Sequence, residues 1–160
     1  KRPSITVRKL DGQPGDYAEV DFGRLGYLQD LGSPKPRAIH GFIMVLGYSR
    51  LSCVVPVFRQ DLQSVIHCFE EAFRFFGGCP KRVVIDGLKA CLELADPYRP
   101  RFNRTFLEYA TFRGFLPDPA RPYHPKDKPA VERHVSFVRE RFFKGETFIG
   151  LEDMAQRALV

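Results

Sequence analysis

Tryptophan is missing altogether from these 160 residues, and methionine occurs only twice. Neither shortage weakens the case for a core, because 15 phenylalanines and a 44% hydrophobic share supply the apolar volume of one ordinary domain. No apolar run approaches the roughly 20 residues that cross a bilayer, and no signal peptide opens the chain. The cytoplasm is therefore the expected compartment. The four cysteines (Cys53, Cys68, Cys79, Cys91) form no CxxC pair and have no histidine at zinc-finger spacing. They read as reduced, mostly buried thiols rather than a structural zinc site. Internal repeats and low-complexity tracts are also lacking. The chain starts at Lys1 without a methionine and stops at Val160 inside a helical pattern (Leu151, Met154, Ala155, Ala158). A piece of something longer is expected.

What is present is charge of one sign in one place. From Arg99 to Lys144 there are eleven Lys or Arg against five Asp or Glu, which accounts for the whole net charge of +6. Such asymmetry points to a polyanionic partner, most simply nucleic acid. The competing view is a solvated basic face with no partner.

The order of elements follows from periodicity and punctuation. Residues 1–15 are polar and marked by Gly and Pro, a lead-in from an upstream domain; residues 16–145 carry the folded core; residues 146–160 start a following helical segment. Tyr17 to Phe22 alternates as a strand does, and Gly23 to Gly26 reads as a turn. Ile39 to Tyr48 and Leu51 to Phe58 form a hairpin around Ser49-Arg50, with Pro56 best suited to an edge. Asp61 caps a helix whose Leu62, Val65, Ile66, Phe69, Phe73 and Phe76 share one face, and Gly77-Gly78 ends it. Arg82 to Asp86 is a short apolar strand that runs parallel to its neighbour, since it follows a helix. Asn103 opens another helix to about Arg113, Phe115-Leu116 begins a last short strand, and a Pro-rich run leads to a final helix. Three meandering strands, helix, strand, helix, strand, helix predict an α/β fold. It is a ribonuclease H-like mixed five-stranded sheet, three antiparallel strands and then parallel ones, with helices on both faces.

Three carboxylates fall at telling places in that order. Asp21 lies in the first strand and Asp86 at the C-terminal end of the fourth, the end at which α/β folds place their sites. Glu132 opens the last helix, where Asp127 caps, Pro129 suits the first turn, and Val131, Val135, Val138 and Phe142 form an apolar face. Converging on one sheet end, three acids would surround a pair of divalent cations, the arrangement that phosphodiester chemistry needs. Each has a plainer alternative: a solvent-facing strand residue for Asp21, a turn residue for Asp86, and a helix-dipole partner for Glu132. Asp21-Phe22-Gly23 also spells a kinase metal motif, but no Gly-rich loop or His-Arg-Asp loop precedes it. Lys126 and Lys128 stand just upstream of Glu132, and Arg133 and Arg139 follow on the same helix. All four are candidate phosphate contacts, each independent of base sequence. Lys89 and the Arg99–Arg104 loop are weaker ones.

The set Asp21, Asp86 and Glu132 resembles the DDE triad of the transposase and retroviral-integrase superfamily. More narrowly, the chain resembles the catalytic core of IstA-like bacterial insertion-sequence transposases. The residues carrying the resemblance are Glu19-Val20-Asp21-Phe22-Gly23, Phe75 to Pro80, Val83 to Lys89, and Arg121 to Pro125 through Val131-Glu132. Relatives commonly have Asn after the second Asp, where this chain has Gly87. The resemblance implies metal-dependent cleavage of the 3′ ends of a mobile element and joining of the freed 3′ hydroxyl to target DNA. It further implies two Mg2+ ions, with Mn2+ as a substitute. Asp21 would bridge both ions, Asp86 would complete one site and Glu132 the other. DNA (element ends and target), a homo-multimer and an AAA+ helper ATPase are the implied partners, in a bacterial, nucleoid-associated setting. Two other functions fit the same pattern: a ribonuclease H-like nuclease or junction resolvase, and a catalytically silent DNA-binding or assembly domain.

Overall fold

The computed structural model describes residues 12–29, 32–86, 88–93, 101–119, 137, 148 and 150–158. Its strands are β1 (Tyr17–Leu28), β2 (Arg37–Leu46), β3 (Ser52–Val57), β4 (Arg82–Ile85) and β5 (Leu116–Pro119). They form one five-stranded sheet in the order β3-β2-β1-β4-β5. β1, β2 and β3 pair antiparallel, whereas β4 and β5 join in parallel on the other side of β1. Local chemistry explains both modes. A short turn, with Arg50 at φ 63°, closes the β2–β3 hairpin, while a whole helix separates β3 from β4 and another separates β4 from β5. Gly47 at the hairpin's start lies under the Tyr17 ring, where a side chain would collide.

The expected turn at Gly23–Gly26 is not there. β1 runs straight through it, with Gly23 paired to Gly41 and Gly26 to Ile39, and a bulge between Arg24 and Gly26 takes up the extra residue. Packing holds the strand there: Leu25 and Leu28 are both buried, and a Cβ on Gly41 of β2 would meet Leu25 at 3.1 Å. As a result β1 is 12 residues long, twice the strand that alternation alone suggested.

Helices cover both faces. α1 (Leu62–Phe76) is capped by Asp61, whose carboxylate accepts from Ser64 N at 2.8 Å, and it ends on Gly77 at φ 74°. α2 (Arg104–Arg113) is capped in the same way by Asn103, which accepts from Phe106 N at 2.8 Å. Against α1 and α2 the sheet presents Ala18, Val20, Phe42, Met44, Val55, Val83 and Ile85. With Phe69, Phe73, Phe102, Phe106 and Phe115 they form the larger core. The opposite face presents Leu25, Leu28, Ile39, Ile43, Val45 and Val54, which pack with Phe148 and with Met154 of α3 (Leu151–Ala158). β3 is an outer strand, so Pro56 does stand at an edge.

Candidate active site

Register decides what meets at the end of the parallel strands. Val20 of β1 pairs with Ile85 of β4, and the ladder runs one step further, with Asp86 N donating to Val20 O at 3.4 Å. Asp21 and Asp86 are the next residues on each strand. They therefore lie side by side, strands about 4.8 Å apart. Val20 and Ile85 both face the α1 side, so strand alternation turns Asp21 and Asp86 together towards the other face. Asp21 is half-buried and pairs across β2 with Ile43, and its Oδ1 accepts from Phe22 N at 2.8 Å. Asp86 is exposed, just past the buried run Val83-Val84-Ile85.

Glu132, Lys126, Lys128, Arg133 and Arg139 lie outside the described residues, as does Gly87. Among the described residues no cluster of three or more Asp, Glu, His or Cys could hold a metal. The two aspartates still suit a hard cation. Magnesium takes oxygen ligands, and one or two carboxylates with waters and phosphates commonly suffice. Glu19 was not singled out from the sequence, yet it is the one buried charged side chain among the described residues, at 3% exposure. It precedes Asp21 by two positions, on the same face of β1. Its place in a strand of otherwise apolar inward residues is the signal that could have drawn notice.

Other polar groups stand away from this end and serve the fold. Glu70 of α1 accepts from Tyr109 Oη at 2.5 Å and from Arg113 Nε at 2.6 Å, tying α1 to α2. Burial alone would raise the Glu70 carboxyl, but the Arg113 and Tyr109 hydrogen bonds outweigh it and hold that group below its ordinary range. Burial, and then the bond to Glu70, pushes the Tyr109 phenol well up. Cys53, Cys68 and Cys91 are buried and unpaired, and Cys79 is exposed. Desolvation lifts the thiols of Cys53 and Cys91 to about 12. These are packing residues, inert as nucleophiles at neutral pH.

No family model matches the chain. Individual proteins do. A Mycobacterium tuberculosis protein that bears a transposase name is 40% identical over 158 residues, covering 99% of this chain and 38% of that protein. The transposase of insertion sequence element IS21 from Pseudomonas aeruginosa is 31% identical over 142 residues, covering 89% of this chain and 36% of its own length. The chain thus spans well under half the length of these relatives. Among solved structures, the HTLV-2 integrase catalytic core domain in complex with magnesium superposes with a TM-score of 0.65 at 16% identity, over 91% of this chain and 84% of that one. That likeness establishes the shared fold. Along nearly its whole length the chain is thus similar to insertion-sequence transposases, and its sheet has the fold of a retroviral integrase catalytic core.

Proposed function

We propose that this chain is the catalytic domain of a DNA transposase that cleaves the 3′ ends of a mobile element and transfers the freed 3′ hydroxyl into target DNA. The observation that carries the reading is the placement of Asp21 and Asp86 side by side where the parallel ladder between β1 and β4 ends. Asp21, Asp86 and Glu132 would hold the divalent cations, magnesium with manganese as a substitute. Bound there, such ions supply Lewis-acid stabilisation to the attacking and leaving oxygens of an in-line displacement. The magnesium in the HTLV-2 integrase core supports that choice of cation.

The chain's own residues supply position and charge. β1 and β4 are locked by their ladder, so the two aspartate backbones keep a fixed separation while the scissile phosphate is presented. Glu132 completes the carboxylate set, and Lys126, Lys128, Arg133 and Arg139 hold the DNA backbone. Water attacks in the first step and the 3′ hydroxyl in the second, with no covalent enzyme intermediate. Element ends and target DNA are the substrates, and the work lies with the bacterial nucleoid. A homo-multimer is in keeping with the dimeric and trimeric forms of the HTLV-2 core, and an AAA+ helper ATPase rests on the similarity to the IS21 transposase alone.

Glu132→Gln tests the reading, since it keeps the shape and removes the charge that a cation needs. In the full-length protein it should abolish magnesium- or manganese-dependent cleavage and strand transfer while DNA binding survives. An active variant would sink the assignment.

A further inference from the structure

The free edge of β3 is not a bare border. α1 packs over one face of this outer strand and α3 over the other, and between them they leave a cavity of about 340 Å3. That is within the range of about 300–1,000 Å3 typical of small-molecule sites. Val54, Val55 and Pro56 make its floor. Alternation sends Val55 towards α1 and Val54 towards α3, so the strand gives apolar surface to both halves. Pro56 brings no N–H donor to it. Leu151 and Ala155, one turn apart on α3, add apolar wall.

The polar lining is of one sign. Glu71 enters from α1, with His67 one turn before it, and Glu152 enters from α3; no Lys or Arg lines the cavity. The Glu71 side chain is 27% exposed, and its Oε1 accepts from Arg74 at 2.6 Å. Among the described residues neither Glu71 Oε2 nor the Glu152 carboxylate has a partner. Burial, and then the Glu71 charge, raises the Cys53 thiol of β3, in keeping with a carboxylate that leans over the strand. The cavity is also separate from the aspartate edge. Asp21 pairs with Ile43 and Ile43 with Val54, so the floor begins two strands away, about 10 Å.

We infer that this cavity binds a small aliphatic diamine, its methylene chain lying on Val54, Pro56, Leu151 and Ala155 and its two ammonium groups meeting Glu71 and Glu152. The inference stands apart from the transposase reading. Its logic is the placement of two acids on opposite walls with apolar surface between them. A neutral apolar ligand would strip water from both carboxylates and return nothing. A monoamine would answer only one of them. A bare metal ion needs ligands that converge, and among the described residues no group of three or more Asp, Glu, His or Cys could hold one. The chain as a whole carries +6 and repels cations, so a dication that binds does so at a built site rather than in a diffuse atmosphere.

Amide NMR of the isotope-labelled 160-residue chain, titrated with putrescine in chelator, tests this. The amides of Val54, Glu71 and Ala155 should shift together and saturate. Butylamine, with one ammonium, should bind about five-fold more weakly, as should putrescine to Glu152→Gln, since each removes one partly exposed ion pair. Butanol should not bind. Ala155→Phe, which fills the cavity, should lose the response; Glu152→Gln alters an exposed side chain and decides the matter if the filled variant folds poorly. Asp21→Asn should bind putrescine as the wild type does. The inference falls if putrescine leaves those amides unmoved, if butylamine or Glu152→Gln matches the wild-type affinity for the diamine, or if the shifts gather at Asp21 and Asp86 instead.

Discussion

The two faces of the sheet are built from different materials. Against α1 and α2 the core is aromatic: Phe42, Phe69, Phe73, Phe102, Phe106 and Phe115 are all buried there. Phe69 alone has the rings of Phe42, Phe73, Phe106, Tyr109 and Phe115 within 6.2 Å, and it stacks on Phe115 at 9°. Among the described residues the opposite core is smaller and mostly aliphatic, with Phe148 as its one buried aromatic. Yet that lighter face is the one towards which Glu19, Asp21 and Asp86 alternate. The contrast teaches a division of labour. Rigid packing on one side fixes the strands, so that carboxylates on the other can be held close together at a cost that the fold can bear.

Deleting the aromatic hub should do the most damage. Phe69→Ala is expected to cost about 3–5 kcal/mol, read from chemical denaturation, because the surrounding rings cannot collapse into the void. Met154→Ala on the other face should cost less, about 2 kcal/mol, since α3 has eight residues and can settle towards the sheet. If the two variants lose the same stability, the contrast between faces is wrong.

A smaller effect sharpens the account of how α1 and α2 are joined. Glu70→Gln should lose about 1 kcal/mol at pH 7, a modest figure because the Arg113 and Glu70 side chains remain 39% and 29% exposed. The sign with pH follows from the lowered Glu70 carboxyl. A carboxyl held low by folding stabilises above its unfolded value, near about 4.3, and that stability drains away as pH falls through the folded value. Denaturation curves of wild type and Glu70→Gln should therefore differ fully at neutral pH and converge in acid. Smallest of all is a change with no energetic cost. Mild alkylation of the native chain should modify Cys79 alone, whereas the unfolded chain should take four labels, one for each cysteine.

Much of this architecture was legible from local signals. Asp61, the spacing from Leu62 to Phe76 and Gly77 defined α1 within a residue, because caps and periodicity act over one helix and need nothing distant. The apolar Val83-Val84-Ile85 run likewise disclosed a buried parallel strand ending on Asp86. What failed was Gly23–Gly26. Two glycines around Arg-Leu look like a turn in one dimension, and only the pairing of Gly23 with Gly41 and of Gly26 with Ile39, on another strand, shows the chain running straight on. Of the candidate site, Asp21 and Asp86 were legible because strand order alone brings them together. Glu19 was not, since burial of a carboxylate depends on what packs above it.

The outer strands have a bearing on how such a chain behaves at high concentration. A sheet whose last strands expose unbroken rows of N–H and C=O groups invites a second sheet to join it. Here Pro56 interrupts β3, and Pro117 and Pro119 interrupt the four-residue β5. Each proline withholds a donor, so neither border offers an unbroken template for strand-to-strand aggregation. A chain with this many phenylalanines needs that protection whenever many copies are made at once.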